Sequence, residues 1–211
     1  MHQEIQILSI LEKHVPEKAV QHCLVLWKNN NFKLLIKKKR DSKLGDYRYF
    51  PYTKSHTITL NNDLNQYAFL VTYLHEVAHL LTTVQHGTRV KPHGDQWKNV
   101  FKLVLAPFMK EDIFPSSILI PLSHYISNPK ASSCSDLPLQ KAMRDFDADS
   151  REIYLSEANI GDTFRFNKRL FVKEDIKRSR AICKEVTTGR RYFISQAALV
   201  EQVGQTTLFS I

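Results

Sequence analysis

Cysteine is scarce in this chain: Cys23, Cys134 and Cys183 are the only three in 211 residues. They lie far apart, are odd in number and never form Cys-x-x-Cys. That excludes a disulfide framework and a four-cysteine zinc ribbon. Long apolar runs are missing as well. No window approaches the roughly 18 uncharged apolar residues that a membrane span needs, so no membrane partner is expected. The opening residues Met1-His2-Gln3-Glu4-Ile5-Gln6 hold an early acid and no apolar stretch. No signal peptide is expected, and a cytoplasmic location is the default. Acids are outnumbered, with 21 Asp and Glu against 30 Lys and Arg, which gives a net charge of +9. An excess of that sign favours polyanionic partners.

What remains is an ordinary globular composition, 43% hydrophobic and 24% charged. The length suits one moderate domain with a small appendage. Ile5, Leu8 and Leu11 repeat at helical spacing, and a second helix is expected from about Glu17 to Trp27, after Pro16. Phe32–Ile36, Tyr47–Phe50 and His56–Leu60 read as strands. Asn61-Asn62-Asp63 offers capping chemistry for a long helix over about Leu64–Val84. Asp95 can cap a further helix that stops at Pro107, and a shorter one is expected over Phe114–Tyr125. After Gly161 the apolar pattern changes to period two, which predicts a small β-barrel-like module of four or five short strands. The expected fold is therefore α+β. Residues 1–126 form the main domain, 127–160 a linker with a short amphipathic helix, and 161–211 a small basic β-rich module.

His75-Glu76-Val77-Ala78-His79 carries the chemistry. Two histidines four apart on a helix stand on one face, one turn apart, where both can bind a single Zn²⁺. Glu76 follows the first of them, at an offset from which its carboxylate reaches a water activated by the metal without itself becoming a ligand. The motif lies within an apolar stripe, next to Leu74, Val77 and Leu80, where two histidines and a glutamate without a purpose are costly. A catalytic zinc takes a third protein ligand and leaves one position open. The candidates are His86, His93, Asp95 and Glu111. His86 projects about 10 Å further along the helix axis. His93 follows a connection of 13 intervening residues, long enough to turn back over the site.

Four segments together resemble the SprT-like (Spartan-related) zinc metalloproteases. They are Ser42-Lys43-Leu44-Gly45-Asp46-Tyr47-Arg48, Ile58-Thr59-Leu60-Asn61, the His75–His79 motif, and Pro92-His93-Gly94-Asp95-Gln96-Trp97. They cover residues 1 to about 110. The resemblance implies a small zincin-like helix–sheet core, one catalytic zinc on His75, His79 and His93, and Glu76 as general acid and base. It also implies a protein substrate and DNA as a partner, because members cleave proteins crosslinked to DNA. The zinc ribbon that many members carry at the C-terminus has no counterpart here, where Cys183 stands alone.

Residues 161–191 hold ten Lys and Arg against four acids. Arg165, Arg169, Lys177, Arg178, Arg180, Arg190 and Arg191 are therefore nucleic-acid contact candidates, with Phe164, Phe166, Phe171 and Tyr192 interleaved. The alternative for the aromatics is that they are the core of the module. Lys37-Lys38-Lys39-Arg40 is a second candidate phosphate contact, or else a solvated strand end. The expected activity is zinc-dependent peptide hydrolysis on DNA-associated proteins. Two alternatives stand beside it: a nucleic-acid-binding protein with a structural zinc, and a zinc hydrolase of a small amide. Tyr47, Tyr49, Tyr73 and Tyr125 are candidate donors to the oxyanion.

Overall fold

The structure, a computed structural model, describes residues 2–40, 42–127, 129, 136–147 and 152–203. The chain divides into two compact units, Met1–Asp147 and Ala148–Ile211.

The first unit begins with α1 (His2–His14), a short 3₁₀ turn (Glu17–Ala19) and α2 (Val20–Asn30). Their apolar faces bury Ile7, Leu11, Cys23, Leu24 and Trp27. Asn31, at φ 42°, ends α2 in a left-handed cap. Three strands follow, β1 (Lys33–Lys37), β2 (Gly45–Phe50) and β3 (Ser55–Asn61). They pair in the order β1-β3-β2, parallel between β1 and β3 and antiparallel between β2 and β3, so β2 is an edge strand. The long helix α3 (Gln66–His86) packs against β2 and β3. Its cap is Asn65 rather than the expected Asn61–Asp63 stretch: the Asn65 side chain accepts from the Tyr67 and Ala68 N–H groups, each at 3.0 Å. Asn61 instead closes β3, and its side-chain amide donates to the Arg40 and Lys43 carbonyls.

α4 (Asp95–Leu105) is capped by Gly94, and Asp95 is its first helical residue. Burial of Trp97, Phe101 and Leu105 joins it to the core, and a 3₁₀ turn at Ala106–Phe108 ends it. α5 (Ser116–Ser127) continues through Pro121. α6 (Leu137–Arg144), which falls in the stretch expected as linker, buries Leu139 and Met143 in the core of this unit. Asn65 Nδ2 donates to the Met143 carbonyl at 2.9 Å and ties α6 to the start of α3. Of the remaining linker expectation, residues 128, 130–135 and 148–151 lie outside the described residues.

The second unit is one six-stranded sheet: β4 (Glu152–Tyr154), β5 (Thr163–Phe166), β6 (Arg169–Lys177), β7 (Arg180–Glu185), β8 (Arg191–Ser195) and β9 (Leu199–Gln202). The order is β4-β9-β5-β6-β7-β8, antiparallel at every pairing. The sheet does not close into the expected barrel-like module: among the described residues β4 and β8 do not pair, so it is open, with five of its strands, β5–β9, after Gly161 and β4 before it. One face buries Phe164, Phe171, Ala181, Cys183, Ile194 and Val200. Lys173 is buried on that side, and its Nζ donates to the Leu155 and Ala158 carbonyls at 2.8 and 2.7 Å. These bonds offset the cost of burying the cation. Among the described residues no helix is long and apolar enough to cross a membrane.

Candidate metal centre

α3 presents His75 and His79 on one side, one turn apart, as their spacing dictates. After α3, Gly87 at φ 81° turns the chain, and the connection returns His93 over the same side. His93 itself takes φ 58°, a left-handed conformation in which histidine is one of the enriched residues. Gly94 then opens α4, its N–H bonded to the Lys91 carbonyl at 3.0 Å. The Nε2 atoms of the three histidines lie 3.2 Å (His75–His79), 3.1 Å (His75–His93) and 2.9 Å (His79–His93) apart.

This triangle fits a metal better than it fits hydrogen bonding. Each imidazole Nε2 carries either one N–H or one lone pair in the ring plane, so three of them cannot all be one another's partners. A tetrahedral zinc with Zn–N bonds of about 2.0–2.1 Å separates its ligand nitrogens by about 3.3 Å. His75, His79 and His93 are the one group among the described residues with this potential, and His86, Asp95 and Glu111 are outside it. The Trp97 ring packs against all three imidazoles, with centroids at 4.6, 5.2 and 4.8 Å, and stacks on Phe101 behind them. Burial holds all three imidazoles neutral, the form that binds metals. It pushes His75 down to about 2, with His79 and His93 adding to the effect, and His79 down to about 4, with His93 adding; His93 is lowered by burial as well.

Glu76 is buried beside this group. Burial pushes its carboxyl up to about 8 and the Asp46 carboxylate adds to that, while the Tyr47 backbone N–H, Arg40 and Lys43 act the other way. For Asp46, burial is outweighed by Lys43 Nζ and Arg48 Nε, each at 2.8 Å, which hold its carboxyl below the usual range. Gly45 makes this closeness possible. A Cβ there would lie 2.7 Å from Glu76 Oε1 and 2.8 Å from Thr72 Cγ2. The sequence marks Gly45 only as a turn residue, because a contact across 31 positions leaves no local signal.

The centre opens into a cleft of about 400 Å³, lined also by Asp46, Tyr47, Thr83, Lys91 and Pro92. Of the four tyrosines, Tyr47 alone lines this cleft. Its hydroxyl is 2.9 Å from His56 Nδ1, and its ring lies parallel to His79. Tyr73 is buried and donates to the Cys23 carbonyl, and Tyr125 is buried near Phe101. A cleft of about 460 Å³ between α2, α3 and α4 is lined mainly by aliphatic side chains and holds none of these groups.

The basic candidates are divided between the two units. Arg40 binds Asn61 Oδ1 at 2.7 Å and Thr59 Oγ1 at 3.0 Å, bracing the segment before β2. Lys37, Lys38 and Lys39 follow or end β1 and have no acidic partner among the described residues. Arg165 pairs with Glu201, Arg169 with Glu185, and Arg191 with Glu174. Arg169 also lies over Phe171 and Tyr192. Lys177, Arg178, Arg180 and Arg190 have no such partner among the described residues.

Among known proteins, the description of the SprT-like family matches residues 7–113, more than half of the 211. No curated protein and no solved structure matches this chain.

Proposed function

This chain belongs to the SprT-like family, a zincin-like metalloprotease family, and from that premise we propose that it hydrolyses peptide bonds with one zinc held by His75, His79 and His93. The observation that carries this reading is the convergence of three imidazole nitrogens beside the buried Glu76 side chain at the wall of an open cleft. On this reading the sheet over α3 is a zincin-type core. Zinc, when bound, supplies Lewis acidity that activates a water and polarises the scissile carbonyl.

The chain's own residues do the rest. Glu76 accepts a proton from the attacking water as its oxygen bonds to the carbonyl carbon. It returns that proton to the amide nitrogen as the C–N bond breaks. Tyr47 is the side chain placed to donate to the carbonyl oxygen as negative charge gathers there. The substrates we propose are DNA-associated proteins, supported by the family resemblance and the net charge of +9. A structural zinc closes its fourth position with a protein group, and the His75–His79–His93 group has only three members among the described residues.

The test is zinc content together with cleavage of a protein crosslinked to single-stranded DNA and of the same protein free. One zinc per chain and cleavage of the crosslinked form are expected. Zinc without cleavage of either form sinks the peptidase reading, and equal cleavage of both sinks only the DNA-associated part. Gly45 gives a finer check. In Gly45→Ala the new methyl displaces the Glu76 carboxylate, because buried Thr72 on the other side cannot yield. Cleavage is expected to fall about 10²-fold, the usual cost of a misplacement near 1 Å, with zinc content unchanged. Full activity of Gly45→Ala would show that the close approach is not needed to aim Glu76.

A further inference from the structure

We propose that the outward face of the β7–β8 edge of the second unit binds single-stranded nucleic acid, with Phe193 as the stacking platform and Arg180 and Lys184 as phosphate contacts on either side of it. This develops the nucleic-acid part of the preceding reading and does not involve the metal centre.

The register defines the face. Along β7, Ala181 and Cys183 are wholly buried while Arg180, Ile182 and Lys184 alternate with them toward the outside. Along β8, Ile194 points inward, and Arg191, Phe193 and Ser195 point outward. Pairing sets Phe193 opposite Ile182, Arg180 opposite Ser195, and Lys184 opposite Arg191. An aromatic ring therefore sits in the middle of a flat two-strand face with cations on both sides of it along the strands. Arg180 and Lys184 are about 13 Å apart at the usual rise per residue. Phe193 is 57% exposed, whereas Phe164 and Phe171 belong to the core. Among the described residues β8 is an edge strand of the sheet.

Charge is unbalanced here. Arg180, Lys184 and the hairpin residues Lys177 and Arg178 have no acidic partner among the described residues. Glu174 is taken by Arg191, which leaves Asp175 as the neighbouring acid. Arg178 holds φ 56° at the hairpin tip, a conformation that costs an ordinary L-residue about 1–2 kcal/mol. A cation stands at a position where glycine or asparagine fits with less strain. A membrane-docking surface projects its apolar groups at a tip, ahead of its cations. Here the tip is cationic and the aromatic lies on the flat face, an arrangement that suits a base stacked between two phosphates.

Fluorescence anisotropy of the full chain with a labelled oligothymidylate tests this, in a Glu76→Gln background so that self-cleavage does not intrude. Phe193→Leu keeps an apolar strand residue but removes the ring, and is expected to weaken binding about 5- to 100-fold, with Phe193→Tyr restoring it. Arg180→Ala with Lys184→Ala should reduce the slope of log K against log salt by about 1.4, for two phosphates lost. The pair Lys13→Ala with Lys18→Ala, of equal charge change on the first unit, should leave the slope as it is. Wild-type affinity in Phe193→Leu, an unchanged slope, or tighter binding to phosphatidylserine vesicles than to oligothymidylate overturns the assignment. Failure of these tests leaves the peptidase reading standing, because zinc content and cleavage of the free protein are read separately.

Discussion

Glu76→Gln is expected to keep its zinc and its fold while losing cleavage about 10²- to 10⁴-fold, the usual worth of a placed general base. The substitution is nearly isosteric, so the contact with Gly45 is kept, and the carbonyl of the new side-chain amide can still accept from the Tyr47 N–H. The amide cannot take a proton from water or return one to the leaving nitrogen. Burial of Glu76 pushes its carboxyl up to about 8, which means the surroundings disfavour its charge. A neutral amide there should leave the melting temperature unchanged or raise it. Zinc content, melting temperature and cleavage measured on one preparation separate these effects. Near wild-type cleavage would remove Glu76 from the mechanism. Lost zinc would mean instead that Glu76 acts through the metal site's architecture.

Zinc itself should stabilise the first unit by several kilocalories, and His93→Ala should abolish most of that response. The three imidazole nitrogens lie within 3.2 Å of one another, where one cation can draw on all three. A ligand at one hundred times its dissociation constant adds about 2.7 kcal/mol. For a unit of this size that corresponds to roughly 5–10 °C in melting temperature. Calorimetry with chelator and with graded zinc reads the shift directly. His93→Ala leaves a bidentate site on one helix, and its melting temperature should barely respond to zinc. An unshifted wild-type curve would mean that the triangle of nitrogens is not a metal site.

Periodicity makes the helices legible because each buries one stripe. The spacing predicts α3 over Leu64–Val84, and the helix is found at Gln66–His86. Its cap differs from the expected one because four polar residues precede it within five positions, and the winner is set by tertiary bonds: Asn61 is held by Arg40 and Lys43, leaving Asn65 free to cap. Short strands are harder to read. β4 has three residues and β9 four, too few to display alternation, and it is their addition that gives a six-stranded open sheet. Among the aromatics, Phe164 and Phe171 are core, the alternative that the sequence leaves open for them. Phe193 is hidden in a run with Tyr192 and Ile194, since alternation alone does not say which parity faces water. His75, Glu76 and His79 are readable because their relation is local to one helix. The approach of Gly45 to Glu76 is not, because it belongs to the packing of a strand on a helix.

Two of the three nitrogens proposed to bind zinc belong to a rigid rod, and the third arrives on a tether of six residues, 87–92, after α3 ends at His86. Closing a tether costs free energy that grows only logarithmically with its length, about 0.6 kcal/mol per doubling. The stretch between α3 and Pro92 can therefore lengthen or shorten by a few residues at little cost to metal affinity. The freedom ends at Pro92-His93-Gly94, where one left-handed backbone conformation fixes the direction of the last imidazole. In this half of the site, variation in length is nearly neutral and variation in stereochemistry is not, so insertions should be found at residues 87–91 and substitutions tolerated least at 93.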